Sequence, residues 1–286
     1  MALNFSILKT RTISAIIFAA IMLGGILWNQ WSFFVLFTII QLGCLFEYQK
    51  LMRLIVPAYA IINKIHQWGV LVLGVFATIA LGDLPLAYQG LSLSTYATYA
   101  VIGVVVFILL ADLISKKINF KTLMISTVGL IYISMGLSLI FQLRAIMSHS
   151  FIGDIGYTIP LILIVSIWVN DTAAYLVGSL IGRKPLSSIS PNKTWEGTIG
   201  GIIISVLLVT KIMGQYIPLN EQSIFLISLV ASIAGTFGDL LESKLKRSAG
   251  VKDSGTMMPG HGGFLDRFDS ILLATPFVWL LIQLLY

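Results

Sequence analysis

Charge is what this sequence has least of. Only 10% of its 286 residues are Asp, Glu, Lys or Arg, against roughly 25% in an ordinary soluble domain. At the same time 57% are hydrophobic and the mean hydropathy is +0.95. A water-soluble globular domain is thereby excluded, and the chain falls in the membrane class. Cysteine is almost absent. The single Cys44 excludes an intramolecular disulfide, and its place in an apolar run reads as a buried free thiol. The three histidines, His66, His149 and His261, do not make a zinc cage. There is no GxxxxGK[ST] phosphate loop, no GxGxxG, no HExxH and no Asp-Gly dipeptide. The last absence argues against the Asp-Gly-containing membrane enzymes that act on CDP-alcohols. No hydrophilic extramembrane domain, low-complexity tract or sequence repeat is present, which disfavours an inverted-repeat transporter. The formal charge of +6 reads as loop charges that set topology, not as a nucleic-acid surface.

What is present is apolar runs. A membrane crossing needs about 20 mostly apolar residues, and nine candidates lie near 12–28, 31–46, 68–85, 95–114, 122–143, 157–180, 198–213, 223–240 and 270–286. The expected fold is all-α, a polytopic membrane protein of about nine transmembrane helices. The first two runs nearly touch at Asn29-Gln30-Trp31, which predicts a helical hairpin. The sixth is interrupted by Asn170-Asp171-Thr172. Lys9-Thr10-Arg11 before an apolar run has the look of a signal peptide. Further spans follow at once without a small-residue cleavage pattern, so it reads as a retained first helix. Neither end carries a lipidation motif. With nine spans, 16 of the 18 Lys and Arg residues fall on one side and only Arg144 and Lys211 on the other. This asymmetry predicts a cytoplasmic N-terminus and a C-terminus on the far side.

Residues 1–150 hold no side-chain group with an evident chemistry and read as packing and lipid-facing helices. Residues 151–286 carry both long polar segments and read as the catalytic region of one continuous membrane domain. Between Asp239 and Asp269, five carboxylates (Asp239, Glu242, Asp253, Asp266, Asp269) stand among five cations (Lys244, Lys246, Arg247, Lys252, Arg267). A loop that only set topology would be basic, since carboxylates contribute little to orientation. If span eight continues through Arg247, Asp239, Glu242 and Lys246 share one face at i, i+3 and i+7, and Ser243 and Arg247 stand at i, i+4. Asp266 and Asp269 share a face where span nine begins. Two helix ends are thus expected to offer Asp239 and Asp266 to a common point. Paired carboxylates without His or Cys suit a hard cation such as Mg²⁺. Nearby Lys and Arg suit the phosphate oxygens that usually complete a Mg²⁺ site. The plain alternative is helix capping, because carboxylates at N-termini and cations at C-termini stabilise the dipole. Glycines at 250, 255, 260, 262 and 263 permit close backbone approach to a ligand, and His261 among them is placed to contact phosphate or carry a proton.

The second polar segment runs from Asn170 to Gly197. Asp171 is the most intramembrane acid, a functional candidate by default, with a polar bridge between helices as the alternative. Ser190-Pro191 starts a turn. Thr194 and Glu196 stand where they could cap the entering span. Lys193, beside hydroxyls and an aromatic ring, could equally hold a nucleotide. Gly178-x-x-x-Gly182 allows close helix packing. Both segments fall on the predicted cytoplasmic side, and a polar site at a lipid boundary suits one soluble and one lipid substrate.

Taken as a pattern, Ser243-x-x-Lys246-Arg247, Lys252-Asp253-x-Gly255 and Pro259-x-His261-Gly262-Gly263-x-x-Asp266-Arg267-x-Asp269 resemble the signature of phosphatidate cytidylyltransferases, or CDP-diacylglycerol synthases. Met258 departs from it by a like-for-like apolar change. Asn170-Asp171-Thr172-x-Ala174-Tyr175-x-x-Gly178 and Ser190-Pro191-x-Lys193-Thr194-x-Glu196-Gly197 are also similar to that family. The first 150 residues resemble it only in hydropathy. The resemblance implies the reaction CTP + phosphatidate → CDP-diacylglycerol + pyrophosphate on an all-helical fold that is often dimeric. It implies Mg²⁺, with room for a second cation, at Asp239 and Asp266. Lys246, Arg247, Lys252, Asp253, His261, Arg267 and Asp269 would complete the catalytic group. Asp171, Ser190, Lys193, Thr194, Glu196 and Ser243 would contact substrate. The implied partners are CTP, phosphatidate, membrane lipids and a second copy of the chain, and no nucleic acid. The implied place is a bacterial inner membrane with the active site facing the cytoplasm. The preference for cytosine comes from the resemblance alone.

Overall fold

The computed structural model describes residues 5–82, 84, 87–88, 91–117, 119–148, 154–256 and 262–285. Helix is almost its whole regular structure, arranged in two compact units, Met1–Ser138 with Ser248–Phe268 and Leu139–Arg247 with Asp269–Tyr286.

In the first unit, α1 (Phe5–Leu27) and α2 (Gln30–Ile55) form the expected hairpin. Asn29 makes the reversal possible. Its Oδ1 accepts from Trp31 N at 2.8 Å and Ser32 N at 2.9 Å, while Ser32 Oγ accepts from Asn29 N at 3.1 Å. This capping box satisfies amides that a bilayer could not. After α3 (Pro57–Ala60) come α4 (Lys64–Leu81), a short antiparallel pair β1 (Ala87–Tyr88) and β2 (Leu91–Ser92), α5 (Leu93–Ile114) and α6 (Phe120–Gly129). Asn63, Ser92 and Asn119 repeat the device, accepting from the amides of Ile65, Thr95 and Lys121.

Buried polar side chains tie these helices together. The His66 Nδ1–H donates to Asp112 Oδ2 at 2.6 Å, His66 Nε2 lies 2.8 Å from Ser126 Oγ, and Ser126 Oγ is 3.0 Å from the Tyr59 hydroxyl. Where one continuous helix was expected over 122–143, α6 passes into a π-helical turn at Leu130–Met135 before α7 (Gly136–Ser148). A widened turn leaves backbone and side-chain groups to satisfy. Thr78 Oγ1 donates to Ser134 O at 3.2 Å and Gln41 Nε2 to Ser134 Oγ at 2.9 Å.

The second unit holds the rest of α7, α8 (Thr158–Ile181), α9 (Trp195–Tyr216), most of α10 (Glu221–Ser248) and most of α11 (Leu265–Leu285). The helix α8 follows the expected sixth span, 157–180, and runs unbroken through the polar Asn170-Asp171-Thr172. Thr172 Oγ1 donates to Trp168 O at 2.8 Å, so its hydroxyl is satisfied within its own helix. The expected close packing at Gly178 is present. A Cβ on Gly197 would lie 2.9 Å from Gly178 Cα, and one on Gly201 would lie 2.7 Å from Ala174 Cβ. Likewise a Cβ on Gly238 of α10 would meet Ser270 Cα of α11 at 2.9 Å. Small residues let backbones approach where lipid offers no competing hydrophobic drive.

Among the described residues, eight helices are long and apolar enough to cross a membrane, and Thr12–Leu27 is a shorter apolar helix. Large apolar side chains such as Ile102, Phe107 and Leu113 of α5, Leu180 of α8 and Leu207 of α9 are exposed, as a lipid solvent allows. The chain is an all-α integral membrane protein. Several boundaries differ from the apolar runs, and three of the differences bear on the site. The second helix continues to Ile55, α10 reaches Ser248, and α11 begins at Leu265. Polar and charged residues thus lie inside these helices, on turns that hydropathy assigns to loops.

Candidate active site

In the second unit the polar segment between α8 and α9 is built around Lys193. Leu186 N donates to Lys193 O at 2.7 Å and Trp195 N to Lys184 O at 3.0 Å, pairing the two arms of the segment. Lys193 N donates to Ser190 O at 3.1 Å, closing the turn expected at Ser190-Pro191. Thr194 is the N-cap of α9, its Oγ1 accepting from Gly197 N at 3.1 Å. Glu196 stands in the first turn of α9. Its Oε2 accepts from Arg183 N at 3.1 Å and Lys184 N at 3.2 Å, bracing the chain where it leaves α8.

This frame places Lys193 Nζ 2.6 Å from Asp239 Oδ2 of α10, both about a third exposed. Asp269 of α11 is 4% exposed, with Ser270 N donating to its Oδ1 at 2.6 Å, and it lies within electrostatic range of Asp239, Asp171 and Lys193. Asp171 is exposed on α8. Its neighbour Asn170 is buried, with Nδ2 3.4 Å from Asp171 Oδ1 and 3.5 Å from Thr236 Oγ1. One turn beyond Asp239, the buried Glu242 pairs with Lys246 Nζ at 2.5 Å. Ser243 is buried and Arg247 exposed on the same helix. Asp269 within electrostatic range of two further acids favours a cation beside Lys193, and lysine and arginine on the same helix as Asp239 favour phosphate oxygens.

The first unit holds the other half of the motif. Asp266 Oδ2 accepts from Ser254 N at 2.9 Å, Ser254 Oγ at 2.9 Å and Gly263 N at 2.7 Å. Gly262 has φ +83°, a conformation that L side chains rarely adopt, and lies against this carboxylate. Lys252, Asp253 and Arg267 are exposed, and His261 lies outside the described residues.

Glu47 of α2 was not anticipated by sequence reasoning. It is 6% exposed and accepts from Ser254 Oγ at 2.6 Å, Phe264 N at 3.0 Å and Leu265 N at 2.9 Å. Its signal in the sequence is its solitude, as it is the only acidic residue before Asp83.

Asp171, Asp239, Asp269 and Lys193 are therefore brought together in the second unit, and Asp266 with Ser254 and Glu47 in the first. The oxygen-only donor set fits Mg²⁺ and not zinc. Among the described residues no three His, Cys, Asp or Glu form a metal-binding group by themselves.

Comparison with known proteins covers the whole of this region. A model described as the cytidylyltransferase family matches residues 9–285. The phosphatidate cytidylyltransferase of Bacillus subtilis is 33% identical over 285 residues, covering 97% of this chain and 98% of that protein. The phosphatidate cytidylyltransferase of Staphylococcus epidermidis is 47% identical over 119 residues, 41% of this chain and 45% of that protein. That of Staphylococcus aureus is 38% identical over 170 residues, 58% of this chain and 62% of that protein.

Proposed function

The chain belongs to the cytidylyltransferase family, and on that premise we infer that it transfers the cytidylyl group of CTP to phosphatidate, giving CDP-diacylglycerol and pyrophosphate. The observation that carries this reading is the reach of the likeness. A phosphatidate cytidylyltransferase aligns over 97% of the chain, so every polar segment described above lies within the compared region.

In this reaction an oxygen of the lipid phosphate attacks the α-phosphorus, a P–O bond forms there, and the bond to the β-phosphate oxygen breaks. The lipid phosphate is already ionised at neutral pH, so no strong general base is required. The work of the protein is positioning and charge compensation. Lys193 is held ready by the paired arms around it and by Asp239. Lys246, Arg247, Lys252 and Arg267 are the cations assigned to offset charge on the triphosphate, the lipid headgroup and the departing pyrophosphate. Asp171, Ser190 and Ser243 are the remaining candidates for substrate contact. Thr194 and Glu196 serve the site by fixing the segment that carries Lys193.

Asp239 and Asp266 are the carboxylates that the family resemblance assigns to Mg²⁺, with room for a second cation. When bound, Mg²⁺ would supply a Lewis acid for the triphosphate oxygens. The lysine excess on one side of the spans supports a cytoplasmic N-terminus and a cytoplasmic site in a bacterial plasma membrane. Surrounding lipids, and a second copy of the chain as the family resemblance implies, complete the partners.

The test is purified protein with CTP, phosphatidate and Mg²⁺. Pyrophosphate should appear only with all three present, in step with CDP-diacylglycerol. Formation of a phosphorylated lipid with release of CDP would replace this reading by that of a lipid kinase.

A further inference from the structure

A buried carboxylate in a membrane-spanning helix needs a reason, because burial without hydrogen bonds is costly. Glu47 has its reason in the motif segment of its own unit. Two of its three donors, Phe264 N and Leu265 N, stand at the start of α11, where amides have no acceptor within the helix. A carboxylate at such a place normally comes from the capping residue itself. Here it comes from a residue more than 200 positions earlier in the chain.

Two further features fit the same arrangement. Gly43, one turn before Glu47 on α2, leaves space that the Phe264 ring occupies, and a Cβ there would overlap the ring. Gly255 and Gly263 lie so close to the Glu47 carboxylate that a Cβ on either would overlap it. Ser254 then links Glu47 to the reaction. Its hydroxyl lies 2.6 Å from Glu47 Oε2 and 2.9 Å from Asp266 Oδ2, and its amide and that of Gly263 also donate to Asp266 Oδ2. Ser254 is thus held by Glu47 and orients Asp266, and Phe264 and Leu265, also held by Glu47, join Gly263 to Asp266 in the chain.

We propose that Glu47 is a positioning residue for cytidylyl transfer, a carboxylate on α2 that caps α11 and fixes Ser254 and residues 263–265, and through them Asp266. The functional half of this inference rests on the cytidylyltransferase reading. The positioning half rests on the hydrogen bonds alone. A carboxylate can accept from all three donors. A glutamine of the same shape turns an NH₂ group toward donors and loses part of that acceptance. Groups that hold a metal-binding residue in place typically change affinity or activity by about 10–100-fold when altered.

The experiment uses the full chain in detergent, comparing parent, Glu47→Gln and Ser254→Ala. The measurements are turnover, the Mg²⁺ concentration for half-activity, the KM for phosphatidate, the melting temperature, and amide hydrogen exchange over residues 254–268. Glu47→Gln is expected to lower kcat by about 10–100-fold, to raise the Mg²⁺ requirement, to leave the KM for phosphatidate nearly unchanged and to speed exchange at Phe264 and Leu265. Ser254→Ala should move the same readouts in the same direction by less, and decides the matter if Glu47→Gln does not fold. Faster exchange with parental turnover and Mg²⁺ dependence would overturn the proposal, since the cap would then be structural only. Parental behaviour in every readout would overturn it as well. A parent chain that makes no CDP-diacylglycerol would defeat the activity reading instead, and exchange at Phe264 and Leu265 would still decide whether Glu47 holds the segment.

Discussion

Apart from the amides that reach Glu196 and Asp269, the carboxylates of the two units are met by different chemistry. In the first, Glu47 and Asp266 accept from backbone amides and a serine hydroxyl, and Asp112 accepts from a histidine ring. In the second, Asp239 and Glu242 face lysine ammoniums, and Asp269 lies among other acids. Amide and hydroxyl donors fixed by the fold hold a carboxylate in one orientation. An ammonium on a flexible stem can leave one anion for another, so it can yield a carboxylate to a metal and turn to a phosphate. The contrast teaches that carboxylates close together in sequence divide into those that build the site and those that can respond to substrate.

Four substitutions press on that contrast. The largest effect should come from Asp239→Asn, which removes the charge opposite Lys193. Turnover is expected to fall by about 10²–10³-fold with melting temperature preserved, and parental pyrophosphate release would take the second unit out of the chemistry. Asp112→Ala is its counterpart in the first unit. Losing one member of a buried pair costs about 3–5 kcal/mol, so thermal or denaturant unfolding should show a large drop while activity per folded molecule is kept. A changed Mg²⁺ dependence in this variant would blur the division between the units. Lys193→Met should cost about 1.5–3 kcal/mol of charge-assisted binding, read mainly as a raised KM for CTP. An unchanged KM would place the nucleotide elsewhere. The smallest effect belongs to Thr194→Ala, which deletes the cap of α9 at about 1 kcal/mol. It should lower the melting temperature modestly, and stability equal to the parent would show that the cap is not needed to hold the segment.

The pattern of spans was legible because lipid imposes one rule, apolar length, on each of them, and the hairpin at Asn29 and the turn at Ser190 carried their own local signals. The face shared by Asp239 and Lys246 was legible for the same reason, since a helix through Arg247 fixes their spacing. Glu47 was not. A charged residue at the edge of an apolar run reads as the end of a span, yet α2 continues to Ile55 because donors from residues 254, 264 and 265 satisfy that charge. No hydropathy window sees partners more than 200 residues away. The π-helical turn at Leu130–Met135 was hidden in the same way, since side-chain hydrogen bonds satisfy it and composition does not show them.

The central claim is transfer of the nucleotide's α-phosphorus to a lipid phosphate, and the fate of a label tests it most directly. Purified protein with phosphatidate and Mg²⁺ should carry label from [α-³²P]CTP into a chloroform-soluble lipid and release label from [γ-³²P]CTP as pyrophosphate. Label from the γ-position in the lipid, with none from the α-position, would contradict the account.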